Sequence, residues 1–231
     1  MKFLNRNHLK YIAVFAMLID HFAHYFLSSV WGTPIYIAFR FIGRLTAPIM
    51  CYFLVEGFTH TTSKKKYFLR LLIFAIISQV AFDFAHGHSI LNLDLSMIYT
   101  LLCCFTMLWT IEYFKNVFLK ILSALIFIYL ASFGDWGAYA PIWILGFYVF
   151  RGNLHLQILP YLMVSLYIII TSVGKHIATP IMMSGVLLFI PLIYLYNGKG
   201  GKKNAFNKWF FYIIYPLHLF LIGVIKIAAT L

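Results

Sequence analysis

LKYIAVFAMLIDHFAHYFLSSV, residues 9–30, decides the fold. As a helix this stretch is about 33 Å long, enough to cross roughly 30 Å of hydrocarbon. Basic residues precede it, as in a signal peptide. It is too long for one, however, and it carries Asp20 and His21 with no small-residue cleavage site after them. It therefore reads as a retained first membrane helix. Comparable apolar stretches follow at 35–58, 67–85, 95–113, 118–133, 137–150, 154–172, 179–196 and 209–229. The pattern predicts an all-α, polytopic transmembrane helix bundle of about nine spans, eight to ten depending on the short stretch 137–150. The 231 residues are 63% hydrophobic and only 10% charged. A soluble domain carries about a quarter charged residues, so there is too little polar surface here to cover a water-exposed globule. The whole chain, 1–231, reads as one membrane-embedded domain in the cell membrane.

The net charge of +12 is distributed along these spans. With the N-terminus in the cytoplasm, the basic residues at the ends of the runs fall almost entirely on the inner face, with Lys175 and Lys226 outside. That is an orientation signal, and it argues against nucleic acid as a partner. Cys51, Cys103 and Cys104 all lie in apolar stretches and read as core thiols, neither a disulfide framework nor a metal site. NGKGGKKNAFN (197–207) reads as a flexible cationic loop.

Ionisable groups inside lipid are costly and face a cavity or a partner. From Leu9, His21 lies about 18 Å into the first span; Arg44 is roughly 13 Å into the second, and His218 roughly 13 Å into the last. Three spans thus bring His21, Arg44 and His218 to a similar depth. Asp20 and His21 are neighbours about 100° apart on the helix and do not form a pair. Asp20 is instead expected to pair with Arg44 or His24, leaving His21 available for chemistry. Glu56 and Arg70 fall toward the inner face beside Lys64–Lys66, whereas Asp83, Asp94 and Asp135 fall toward the outer face. An anionic ligand from the cytoplasm meets cations at one end; an amine-bearing acceptor meets Asp83 and Asp135 at the other.

Histidine is suited to take a proton near neutral pH, and a buried arginine to stabilise developing negative charge. The cationic inner edge, Lys64 to Lys66 with Lys202, Lys203 and Lys208, suits phosphates. No glycine-rich phosphate loop, G-x-S-x-G elbow or paired-histidine metal motif is present, so neither ATP chemistry nor a metal is expected. The same buried groups also fit a small proton-coupled transporter or channel, and Asp20 with Arg44 fits a purely structural ion pair.

LKYIAVFAMLIDHFAH (9–24), FIGRLTAPIMCYFLVEGFTHT (41–61) and KWFFYIIYPLHLFLI (208–222) resemble, in order, three hallmark segments of the TraX family, named for an F-pilin acetylation protein. GDWGAYAPIWILG (134–146) resembles the family's acidic-glycine segment. TraX-like proteins are similar in turn to multi-span membrane acyltransferases that act on glycans and amino sugars. The resemblance implies transfer of an acetyl group from cytoplasmic acetyl-CoA to an amine or hydroxyl at the outer face. The acceptor it implies is a peptide or pilin-like protein or an envelope glycan. Carried onto this sequence, it implies functional roles for Asp20, His21, Arg44, Glu56, Lys208, Tyr212 and His218. Together with the depth reading, Asp20, His21, Arg44 and His218 are the expected catalytic set. Arg44, Glu56, Lys64, Arg70, Lys208 and Tyr212 are the expected acetyl-CoA contacts.

Overall fold

The computed structural model describes residues 2–87, 93–202 and 204–229; Lys203 and the Lys208 side chain lie outside the described residues. Eleven α-helices run through them in chain order: α1 (Arg6–Phe26), α2 (Pro34–Gly43), α3 (Thr46–His60), α4 (Lys64–His86), α5 (Met97–Tyr113), α6 (Val117–Ala131), α7 (Tyr139–Val149), α8 (Leu154–Ser172), α9 (Ala178–Met183), α10 (Phe189–Tyr194) and α11 (Ala205–Ala228). No strand occurs among the described residues, so the expected all-α class holds.

Local chemistry sets the helix starts. Asn5, Ser63, Asn116 and Asn153 each accept a hydrogen bond from a first-turn amide, of His8, Lys66, Phe118 and Leu156 respectively. These satisfy donors that a helix N-terminus otherwise leaves orphaned. Pro34 opens α2, where its missing N–H costs nothing, and Gly87 closes α4 with a left-handed φ of 70°.

Every expected span falls on helix, and four stretches are long and apolar enough to cross a membrane: Pro34–His60, Lys64–His86, Leu154–Ser172 and Trp209–Ala228. The first expected span, α1, has 21 residues but is not among these four, since it carries Lys10, Asp20, His21 and His24; the other apolar helices are shorter. The 11 residues of α7 reach only about 16 Å.

Two expected spans are broken. The stretch 35–58 is interrupted by a turn at Arg44 and Leu45. Pro48 has no N–H to offer the Arg44 carbonyl, which removes the bond that would carry the helix through. The stretch 179–196 divides into α9, a 3₁₀ turn (Ser184–Leu188) and α10. Pro191 likewise leaves the Leu187 carbonyl without its helical donor.

The chain divides into two compact units, Met1–Phe53 with Gly146–Lys208 and Leu54–Leu145 with Trp209–Leu231. In the first, α1 packs on α2, and α2 on α9 and the 3₁₀ turn. Gly185 is required there, because a Cβ would overlap the Phe41 carbonyl. Tyr52, Phe147, Tyr161 and Phe189 form its aromatic core, with Phe147 stacked on Tyr161 at 5.7 Å. The stretch read as a flexible loop is instead tied to the start of the chain. Leu4 donates to Leu195, Asn197 to Leu4 and Arg6 to Lys199, and the Asn7 amide donates to the Lys202 carbonyl at 2.9 Å.

In the second unit α5 packs between α4 and α6. Aromatic contacts join α11 to α4: Phe74 with Tyr212 at 5.0 Å and Phe84 stacked on Phe220 at 5.4 Å. Lys226 donates to the Ala85 carbonyl at 2.7 Å, satisfying a C-terminal carbonyl of α4. Both units carry many exposed apolar side chains, among them Phe15, Ile76, Val80, Met163 and Ile170. Such a surface suits lipid rather than water.

Candidate functional site

The first unit holds a buried ion triad. Asp20, on the packed face of α1, is 9% exposed. Arg44 Nη2 donates to both its carboxylate oxygens, at 2.7 and 2.9 Å, and Arg40 Nη1 donates to Oδ2 at 2.6 Å. Arg44 Nε also donates to the Arg40 carbonyl at 3.3 Å. Arg40 and Arg44 are four residues apart and therefore share one face, a spacing at which like charges repel unless a counter-ion intervenes. Asp20 supplies it.

Two features hold this geometry. The carboxylate lies against Gly43, where a Cβ would overlap it. Thr46 donates from its hydroxyl to the Ala13 carbonyl at 3.0 Å, fixing the start of α3 against α1. His21, the next residue, is half-buried with its ring 6.2 Å from that of Tyr25; His24 is exposed and packs edge-on to the same Tyr25 at 4.8 Å. Of the two partners expected for Asp20, Arg44 is the one observed. Arg40 was legible as a cation within a span, but its i, i+4 relation to Arg44 is the signal that identifies it as the third member.

His218 belongs to the second unit, so the expected mid-depth trio is divided between the units. It is 5% exposed, and its Nδ1 donates to the Ile214 carbonyl at 2.9 Å. That bond fixes the neutral tautomer with the basic lone pair on Nε2. Its ring meets Tyr215 edge-on at 5.5 Å, and the Tyr215 hydroxyl accepts from the Met97 amide at 3.2 Å.

The second unit also contains most of the expected inner-face residues. Lys64 pairs with Glu112 and lies 4.5 Å from the Phe58 ring centroid. Glu56, half-buried on α3, precedes Gly57, where a Cβ would meet the Tyr67 hydroxyl oxygen at 2.8 Å. Gly57 thus makes room for Tyr67, and Arg70 stands 5.5 Å from the centre of the Tyr67 ring. The Tyr212 hydroxyl interacts with the same guanidinium. Tyr67 was not among the expected residues, although its position three before Arg70 places it on the same helix face.

The expected outer-face carboxylates differ from one another. Asp83 is buried and accepts from the Gln79 amide at 2.9 Å. Gln79 also donates to the Asp94 carbonyl and accepts from the Ser96 amide, tying the end of α4 to the start of α5. Asp135 is exposed, and its backbone is fixed: its N–H donates to Leu95 and its carbonyl accepts from Thr100. The turn that presents it places Trp136 at φ 65°, a conformation rare outside glycine, with the ring 5.4 Å from Trp143.

An all-α chain with apolar outward faces, four stretches long and apolar enough to cross a membrane and polar clusters buried inside its units is a helical membrane protein. Residues 5–226 match the TraX protein family, and the chain belongs to that family. It is also 34% identical over 233 aligned positions to a probable fimbrial assembly protein FimC of serogroup H1 from Dichelobacter nodosus, covering 93% of this chain and 92% of that one. No solved structure matches.

Proposed function

We propose that the chain is a multi-pass acetyltransferase of the cell membrane. Its 231 residues act as one acyltransferase domain of about nine spans with a cytoplasmic N-terminus, and they move an acetyl group from acetyl-CoA to an acceptor at the outer face. A terminal amine of a peptide or pilin-like protein fits best, since a relative is named for fimbrial assembly; an envelope amino sugar or hydroxyl is the broader class. The observation that carries the reading is the Asp20–Arg40–Arg44 triad beside His21, in which Asp20 and Arg44 belong to the first two family segments and Arg40 immediately precedes the second.

In the reaction, the neutral amine attacks the thioester carbonyl. A C–N bond forms, the C–S bond breaks, and CoA leaves as thiolate. His21 takes the proton from the amine, and the triad holds the backbone of α1 and α2 that carries it. Arg44 gives two hydrogen bonds from Nη2 to Asp20, so its part is to position this segment and hold positive charge beside it. His218, with its tautomer fixed, is the second candidate for proton transfer. Glu56, Lys64, Arg70, Lys208 and Tyr212 contact the donor, and Asp83 and Asp135 the acceptor.

The test is CoA release from acetyl-CoA by the purified chain with a peptide amine as acceptor. Acceptor-dependent release, abolished in His21→Ala while the variant still folds, supports the reading. Full activity in His21→Ala overturns the histidine's role. Absence of CoA binding overturns the function, and solute flux in liposomes without acyl transfer replaces it with transport.

A further inference from the structure

Arg70 is a guanidinium within an apolar helix that no acidic side chain neutralises among the described residues. Its Nε is buried and, among the same residues, has no hydrogen-bond acceptor. The groups beside it are the Tyr67 ring and the Tyr212 hydroxyl. An aromatic face compensates a cation only in part, and a phenol offers one weak acceptor. Glu112, an acid on the neighbouring α5, is taken by Lys64. A buried donor on a charged group left without an acceptor is expensive, and a helix retains such a group where an external anion completes it.

The position favours one kind of anion. Arg70 lies about 9 Å along α4 from Lys64, within reach of the membrane interface for a long side chain. On α4 Leu69, Ile73 and Ile76 are exposed, while Leu71, Ala75 and Ser78 are buried. Arg70 stands on the border between these faces, half-buried. A guanidinium offers paired donors in a planar fork that matches two oxygens of a tetrahedral oxyanion, and the Tyr212 hydroxyl can turn to donate a third.

We infer that Arg70, Tyr67 and Tyr212 form a binding site for a phosphate group, with the guanidinium and the Tyr212 hydroxyl as its donors. The phosphate belongs to a nucleotide-type acyl donor or to a phospholipid headgroup; the first source rests on the acetyl-transfer reading, whereas the site does not.

The experiment uses the full chain in detergent, with coenzyme A as one probe and phosphatidylglycerol, followed by native mass spectrometry, as the other. Arg70→Gln is expected to weaken the bound probe about tenfold and Tyr212→Phe severalfold, with Arg70→Lys between wild type and Arg70→Gln because it keeps charge but loses the fork. Ligand-free melting should not fall. If Arg70→Gln fails to fold, Tyr212→Phe, which removes one oxygen, carries the test. Weakened coenzyme A binding identifies a soluble donor, and loss of phosphatidylglycerol alone identifies the lipid. Equal coenzyme A binding and equal lipid retention in all variants overturn the site while leaving acetyl transfer standing. A chain that binds no coenzyme A but sheds phosphatidylglycerol on Arg70→Gln keeps the site and loses the acetyl-transfer reading. A chain that does neither loses both.

Discussion

Arg40 and Arg44 in the first unit and Arg70 in the second stand in opposite electrostatic states. The first two converge on one buried carboxylate, which accepts three hydrogen bonds from their guanidinium groups between 2.6 and 2.9 Å. Arg70 has an aromatic ring and a phenol, and a buried Nε with no acceptor among the described residues. A cation whose charge is met inside the protein works on the protein, fixing α1 against α2 and so holding His21. A cation whose charge is not met internally is placed for something that arrives. Substitutions in the two regions should therefore separate stability from binding.

The largest effect should come from Asp20. Asp20→Asn leaves two inward-facing guanidiniums with no carboxylate, and removing one partner of a buried ion pair costs about 3–5 kcal/mol. Unfolding in matched detergent should register that loss, whereas Arg70→Gln should leave the ligand-free protein at least as stable as its parent. An Asp20→Asn chain of undiminished stability would erase the distinction between the regions. Next comes Gly43→Ala, whose methyl would occupy the space of the Asp20 carboxylate. Overpacking of this kind costs about 1–3 kcal/mol. The methyl would meet the Asp20 Cβ as well as its carboxylate, so Gly43→Ala should add little only once Asp20 has become Gly, and a double-mutant cycle measures that coupling. Full additivity would mean that the glycine serves another contact.

The two regions were not equally legible in the sequence. Helix starts at Asn5, Ser63, Asn116 and Asn153 follow from capping chemistry within three residues. Depth brings His21 and Arg44 to one level, and the helix face of Asp20 leaves Arg44 or His24 as its partner, of which Arg44 is the one observed. Arg40 needed the further step of placing it on Arg44's face. The surroundings of Arg70 were only half visible: Tyr67 is three residues away, but Tyr212 arrives from the last helix, and Gly57 matters only because Tyr67 crosses it. The breaks at Arg44 and Ser184 escaped because hydropathy counts side chains, whereas the missing proline donors at Pro48 and Pro191 are a backbone matter. The ties between residues 4–7 and 195–202 escaped for the same reason: they are mostly backbone bonds in a stretch whose glycines and lysines signalled only flexibility.

A smaller effect, and one that sharpens the comparison, belongs to Arg70 in turnover. On the acetyl-transfer reading, Arg70→Gln should raise KM for acetyl-CoA about tenfold, with kcat within about twofold, because it removes binding shared by ground and transition states. Arg44→Gln should do the reverse, lowering kcat through the misplaced segment that carries His21. Steady-state kinetics on the two variants side by side would decide. A loss of kcat in Arg70→Gln would put that residue at the reacting thioester instead of the phosphate.

The smallest effect should come from Lys64, the second unit's contrast to Arg70. It is paired with Glu112, but the side chains are 27% and 47% exposed, so water competes for both charges. Pairs of this kind contribute about 0.2–1 kcal/mol and weaken with salt. Lys64→Ala should therefore lower stability by less than about 1 kcal/mol, and by less still at high ionic strength. It should also weaken coenzyme A binding less than Arg70→Gln does if Arg70 is the phosphate ligand, because the Lys64 charge is already engaged by Glu112. Binding measured on Lys64→Ala and Glu112→Gln together separates the possibilities. Freeing Lys64 by Glu112→Gln should strengthen coenzyme A binding modestly if the two cations face one ligand, and leave it unchanged if Arg70 acts alone. A tenfold loss in Lys64→Ala would transfer the phosphate from the unpaired guanidinium to the paired ammonium, and with it the premise that an unmet charge marks the binding region.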